Sequence, residues 1–393
     1  MGTPNPPPVV LLGAGASKEA GVPTTFEMTE QLVARLAESQ PYSQSTQAIN
    51  FICGALMAYD AAGGASPYMG LDVERVFTAV ELLAERRELE VTPFVASWHQ
   101  AVDAWDRPSA PSSVGRDISD ALAKGLSGGS FYERDIDRAL QRFVDAKTAT
   151  GTGETYRQLQ RRMIHELRSL VATHPKEVAY LAPLVAAGRT SEGITVATVN
   201  YDLSIEHAGA REGVNVSTGI EQWDRERRLI WSDGVRLLKL HGSIDWCWEP
   251  VKYEPPKGQF PRRRLQKVDD PSDETRDPVV VFGQRGKLRS EGPFLSLLSE
   301  FEKQLSVTNR LIVVGFSFRD EHINEAIRHW LAEDYGRTIV LVDPNLPERP
   351  ARDDFRAELA GRLIPFANAE PTFSPRLEVM EVKASEALPN LFP

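Results

Sequence analysis

The chain has 393 residues, 41% of them hydrophobic and 25% charged, with a formal net charge of −10. That supports one large α/β domain with an insertion, or two domains, and the acidic balance argues against a broad phosphate-binding face and direct nucleic-acid binding. Two cysteines, Cys53 and Cys247, exclude a four-thiolate zinc module and a disulfide framework, and no segment reaches the roughly 18 consecutive apolar residues of a bilayer span.

The N-terminus reads Met1-Gly2-Thr3-Pro4-Asn5-Pro6-Pro7-Pro8 and lacks the positive n-region and apolar core of a signal peptide. With the low cysteine use, this predicts a cytoplasmic location. In chain order, short apolar runs predict strands at Val9–Leu12, Ile194–Val199, Leu237–Leu240, Val279–Phe282, Leu311–Val314, Ile339–Val342 and Leu377–Val382. Their Val, Ile and Leu content is that of strands buried on both faces of a parallel sheet. Helical periodicity follows the first strand, from Thr24 to about Ala37, and runs again from Glu321 to about Glu333. Strands alternating with helices predict a doubly wound α/β sheet.

From Asp72 to Gly188 the pattern is helical only, as in Val73–Arg87, Ile136–Ala146 and Tyr156–Ala172. This predicts a helical insertion at 72–188 that interrupts a discontinuous domain of 1–71 and 189–393. Glu249–Asp277, rich in Pro and charge, reads as a surface excursion. Its basic run Arg262-Arg263-Arg264 reads as a solvated or partner-docking loop.

In open α/β sheets, ligands bind beyond the carboxyl ends of the strands. Five predicted strand ends here carry glycine or short polar residues: Gly13-Ala14-Gly15-Ala16-Ser17, Asn200-Tyr201-Asp202, His241-Gly242-Ser243, Gly315-Phe316-Ser317 and Asp343-Pro344-Asn345. Together they predict one converging pocket. The Gly13–Ser17 loop has the makings of a pyrophosphate cradle, with a helix N-terminus behind it. A dehydrogenase fingerprint would place a third glycine at position 18, where this chain has Lys18. Blander roles stand beside these: a structural imidazole for His241, and helix caps for Asp202 and Asp320. His322 and His329 read as packing or solvent-facing residues.

These motifs, in this order, resemble those of the sirtuins. Gly13-Ala14-Gly15-Ala16-Ser17 with Gly21-Val22-Pro23 resembles the nucleotide loop. Thr198-Val199-Asn200-Tyr201-Asp202 resembles the TQN-x-D motif, with Val199 in place of Gln. His241-Gly242 resembles the catalytic HG, and Gly315-Phe316-Ser317 the GTS loop with Phe316 in place of Thr. Asp343-Pro344-Asn345 is similar to the late strand end whose Asn meets the adenosine ribose.

Without a zinc module, and with its helices inserted before Asn200, the chain resembles the sirtuin-like subunits of prokaryotic antiviral systems, which are NAD hydrolases. The resemblance implies a Rossmann-like doubly wound parallel sheet with an inserted all-helical subdomain. It implies NAD+ as substrate without a metal. Asn200 and His241 would be catalytic and Asp202 would sit on the nicotinamide side. Gly13, Ala14, Gly15 and Ser17 would hold the pyrophosphate, and Gly315, Ser317 and Asn345 the adenosine half. It further implies a homo-oligomer, with a HerA-type hexameric ATPase as partner and no membrane association. An NAD-dependent deacylase and a non-catalytic NAD- or ADP-ribose-binding subunit are the competing readings.

Overall fold

The computed structural model describes residues 6–40, 43–64, 71–94, 99–106, 153–174, 176–190, 192–221, 223, 228–249, 264–269, 278–281, 292–344, 355–363 and 376–393. Two compact units emerge: residues 1–28 with 164–393, and residues 29–163. The division falls earlier than the 72–188 insertion read from the sequence, so the two helices before Asp72 group with the helical unit.

The helical unit takes most of α1 (Thr25–Ser39), then α2 (Gln44–Ala62), α3 (Val73–Ala84), α4 (Gln100–Trp105) and the first part of α5 (Glu154–Val171). Their starts follow from local chemistry. Ser43 caps α2 by accepting from the Thr46 amide, and Asp72 caps α3 by accepting from the Glu74 amide at 2.8 Å. Thr24 and Glu27 form one half of a capping box on α1: the Glu27 carboxylate accepts from both the Thr24 amide and its hydroxyl. Inside the unit, Arg86 is fully buried and donates to Asp106 and Asp103, and Asp106 also accepts from the Gly153 and Thr155 amides. The buried charge is thus paired and hydrogen-bonded, as it must be away from water. The predicted helix Ile136–Ala146 and the Pro- and Gly-rich breaks beside it lie outside the described residues.

The larger unit is built on a seven-stranded sheet. Its strands are β1 (Val9–Leu12), β2 (Ile194–Thr198), β3 (Val216–Ser217), β4 (Val235–Lys239), β8 (Arg310–Val314), β9 (Thr338–Val342) and β10 (Leu377–Met380), in the order β10-β9-β8-β1-β2-β4-β3. Every pairing in it is parallel. The chain leaves β1 to one side and later returns to its other side through β8. The topological switch point therefore lies at β1 and β8, where doubly wound sheets open their ligand crevice.

The apolar runs are continuous because both faces are buried. Val9 and Leu11 join one core with Phe301, Ile327 and Trp330; Val10 and Leu12 join the other with Leu184, Val196 and Leu388. The first core is covered by α8 (Phe294–Ser306) and α9 (Glu321–Glu333), the second by α6 (Ala182–Ala186), α7 (Ser204–Glu212) and α11 (Ala384–Leu391). α10 (Phe355–Leu363) adds Phe355 and Leu359 to the first core. Among the described residues no helix is long and apolar enough to cross a membrane.

Two expectations are corrected. The run Val279–Phe282 does not enter the parallel sheet. Its strand, β7 (Pro278–Val280), pairs antiparallel with β5 (Gly242–Trp248) in a separate sheet, with β6 (Leu265–Lys267) on the other side of β5. Part of the supposed surface excursion is β6 (Leu265–Lys267), which pairs with Trp246–Trp248. Trp246 is fully buried within the first core.

Candidate active site

Strand register brings the polar strand ends to one level. Leu12 pairs with both Thr198 and Val314, Thr198 with Lys239, and Val314 with Val342. Asn200 and His241 each follow the matched pair Thr198–Lys239 by two residues on adjacent parallel strands. Gly13 and Gly315 each directly follow the matched pair Leu12–Val314. Neighbouring strands are only about 4.8 Å apart, so five of the predicted loops leave the sheet along one edge.

The loops after β1 and β8 are packed backbone to backbone. Gly13 donates to the Val314 carbonyl, Gly15 donates to the Gly315 carbonyl, and Gly315 donates to the Val342 carbonyl, all near 3.0 Å. Gly315 has φ +60°, and a Cβ there would lie 2.4 Å from the Ala16 nitrogen; one on Gly13 would lie 2.4 Å from the Phe316 Cα. Only glycine fits this contact. The expected cradle is therefore modified, because the Gly13 and Gly15 amides are committed to neighbouring strands. The segment that follows is a seven-residue 3-10 turn, Ala14–Ala20, and the α-helix begins only at Thr25. Gly15 and Ser317 are exposed, Ala14 and Gly315 half-buried, and Ser17 buried. Asn345 lies outside the described residues.

Asn200 locks onto that first loop. Its Nδ2 donates to the Gly13 carbonyl at 2.8 Å and to Ser17 Oγ at 2.9 Å. Gly13 O can only accept, which fixes the orientation of the amide. With both Nδ2 hydrogens so engaged, the side chain offers Oδ1, an acceptor, to any ligand. Two residues on, Asp202 Oδ1 accepts from the Ser204 amide at 2.9 Å and caps α7. Its other oxygen, Oδ2, is buried and has no hydrogen-bond partner among the described residues. Such an orphaned carboxylate oxygen is costly and marks a place for a donor. Beneath it, fully buried Lys239 donates to the Asp202 carbonyl at 2.6 Å and pairs with Glu206 at 3.0 Å. Burial pushes the Glu206 carboxyl above its ordinary range, and Lys239 pulls it back.

His241 is 1% exposed. Its carbonyl accepts from the Val281 amide, which ties the turn to the second sheet. The ring lies 6.5 Å, centroid to centroid, from Tyr201 and 5.9 Å from His322. His241 Nε2 is 3.7 Å from Asp320 Oδ1. Asp320 occupies the N-cap position of α9, yet its side chain makes no capping hydrogen bond; its carbonyl accepts from the Ile323 and Asn324 amides instead. The preceding loop carries Phe318 at φ +56°, an uncommon conformation for an aromatic residue, held by Asn324 Nδ2 donating to the Phe318 carbonyl. That turn directs the Asp320 carboxylate at the imidazole. Sequence reasoning missed that Asp320 and His322 come beside His241; the available signal was the Asp320-Glu321-His322 spacing shortly after a glycine-bearing strand end.

One cavity, of about 160 Å³, opens at the opposite end of the strands beside Pro8, Gly193, Trp231 and Arg236. It is smaller than the roughly 300 Å³ of the smallest ordinary ligand pockets and lies on the wrong edge for the crevice.

Residues 194–364 match the family model of a SIR2-like domain. The matched stretch contains Asn200, Asp202, His241, Gly315, Ser317 and Asn345 and leaves out the Gly13–Ser17 loop. Among solved structures, the chain is similar to a Sir2 homolog in complex with NAD, at 14% identity and a TM-score of 0.35, covering 98% of this chain and 87% of that one. It is likewise similar to a Sir2 homologue mutant in complex with 2'-O-acetyl ADP ribose, at 13% identity and a TM-score of 0.37, covering 98% and 89%. A third similarity is to a Sir2 enzyme, at 16% identity and a TM-score of 0.35, covering 98% and 90%. No curated protein matches the chain. The α/β assignment stands on the parallel strand order itself.

Proposed function

We propose that this chain binds NAD+ as substrate at the β1, β2, β4 and β8 strand ends and hydrolyses its nicotinamide–ribose bond. The observation that carries the reading is the register Thr198–Lys239, which sets Asn200 and His241 at one level on adjacent strands, with Asn200 clamped to the Gly13 loop. The match of residues 194–364 to a SIR2-like domain supports it.

Nicotinamide leaves NAD+ as a neutral base, so breaking the bond needs little acid help. It needs stabilisation of an oxocarbenium-like ribose and an oriented water. Asn200 Oδ1, an acceptor, orients that water. His241 takes its proton as general base. Asp202 Oδ2 accepts from the nicotinamide carboxamide. Ala14 and Ser17 meet the pyrophosphate, with Gly13 and Gly15 shaping their loop, and Gly315, Ser317 and Asn345 meet the adenosine half. Water and NAD+ give ADP-ribose, nicotinamide and a proton.

At 1% exposure, His241 does not reach bulk solvent, so turnover requires the site to open. That fits the wider reading: an antiviral subunit that depletes NAD+ on a trigger, as a homo-oligomer beside a HerA-type ATPase. The same burial favours the second reading, a non-catalytic NAD-binding subunit. The experiment is NAD+ turnover by the purified chain, alone and with the ATPase, with products identified by chromatography. Hydrolysis yields ADP-ribose, and Asn200→Ala and His241→Ala each abolish it. Wild-type turnover that persists in both variants defeats the assignment, and tight NAD+ binding without turnover under every condition selects the second reading.

A further inference from the structure

His241, Asp320 and His322 converge although no element holds all three. His241 follows β4, while Asp320 and His322 flank the first residue of α9. One ligating atom from each lies within 4.8 Å of the other two. His241 and Asp320 are buried and His322 is half-buried. The imidazoles are tilted by 34°, not stacked, an arrangement in which two ring nitrogens can turn toward a common point.

The donor set is two imidazoles and one carboxylate. It suits borderline ions such as zinc and not magnesium or calcium, which take oxygen ligands. Zinc bonds of about 2.0–2.2 Å in a tetrahedron put ligand atoms about 3.3–3.6 Å apart. His241 Nε2 and Asp320 Oδ1 already stand at 3.7 Å, so closure asks for side-chain shifts of about 1 Å. The positive end of α9 opposes a cation there. The Asp320 carboxylate, which makes no capping hydrogen bond to that helix, offsets it.

We propose that His241, Asp320 and His322 form a binding site for a zinc-class divalent cation, and that its occupancy silences His241 as a base. The second half rests on the hydrolase reading. A coordinated imidazole nitrogen has its lone pair on the metal and cannot accept the proton of water. The ion thus acts as an inhibitor of the site and not as a resident cofactor. His322 is the discriminating residue, because it ligates the cation but takes no part in the hydrolysis described above.

The test titrates the full chain with Zn2+ against a chromogenic chelator and, in parallel, reads Co2+ absorption in the visible. The wild type is expected to bind one equivalent and to give a tetrahedral or five-coordinate Co2+ spectrum. His322→Ala and His322→Gln bind at least about tenfold more weakly, the lower end of what perturbing a metal's supporting shell costs, while keeping the wild-type far-ultraviolet circular dichroism. In the activity arm, stoichiometric Zn2+ suppresses wild-type NAD+ turnover and EDTA restores it, whereas both His322 variants turn over NAD+ at the wild-type metal-free rate and resist suppression. Absence of stoichiometric binding, or binding undiminished in folded His322 variants, overturns the site. Stoichiometric binding lost in the variants, with no NAD+ turnover in any metal state either alone or with the ATPase, upholds the site and sinks the hydrolase reading instead.

Discussion

Asp202 divides its two oxygens between unlike tasks. One caps α7, and the other is buried with no hydrogen-bond partner among the described residues. The helix-cap role weighed against a functional one is therefore not exclusive of it, because a carboxylate has acceptor sites enough for both. Asp202→Asn separates them. The amide oxygen still accepts from the Ser204 amide, but a donor replaces Oδ2. The expected outcome is a urea midpoint within error of the wild type and NAD+ turnover lowered by about tenfold or more, the weight of one hydrogen bond to a charged group. Unchanged turnover would leave Asp202 as a cap alone. Asn200 follows a similar logic with the polarity reversed: its donors are engaged by Gly13 and Ser17, so it meets a ligand through its acceptor.

Among the elements, α1 shows how a helix start couples to pH. Thr24, Glu27 and Lys18 form a small network in which the Glu27 carboxylate accepts from the Thr24 amide and pairs with Lys18 at 3.0 Å. The Thr24 amide bond, and then Lys18, hold the Glu27 carboxyl below its ordinary value of 4.5. A carboxyl whose pKa is depressed by folding stabilises the fold at pH values above its unfolded pKa, and that contribution is lost as pH falls through the folded value. Glu27→Gln is therefore expected to lower stability at pH 7 by less than about 1 kcal/mol, since the group is only half-buried and its pair is screened by solvent. The gap between variant and wild type should close when urea titrations are repeated near pH 3. A gap that stays constant across that range would show that the cap works by shape and not by charge.

At the scale of the whole molecule, the sheet works as a register device. Its matched pairs place five loops along one edge, and the switch point at β1 and β8 is closed by the contact of Gly13 and Gly15 with Gly315. Ligand bound along that edge draws on several elements of the larger unit at once, so NAD+ should raise its thermal stability by mass action. At a concentration about 100 times its Kd the gain is about 2.7 kcal/mol, visible as a rise in Tm that grows with the logarithm of NAD+ concentration. Asn200→Ala should remove the rise. A Tm indifferent to NAD+ in the wild type would place no dinucleotide on this edge.

The parallel strands β1, β2, β4, β8, β9 and β10 were legible because burial on both faces demands unbroken Val, Ile and Leu, and the glycine and polar residues after them because ligand crevices of such sheets lie there. Helix starts at Thr24 and Asp72 are equally local, since their bonds close within three residues; α2, which starts at Ser43, was not read from the sequence. What the sequence could not settle is where a run such as Val279–Phe282 pairs, because a short apolar strand reads the same in a parallel sheet and in an antiparallel one. Nor could it show that the Gly15 amide would be taken by Gly315, or that Asp320 would turn from its helix toward His241. The meeting of His241 with His322 belongs to the same class: it joins side chains far apart in the chain, and only the packing of α9 against the sheet determines that distance.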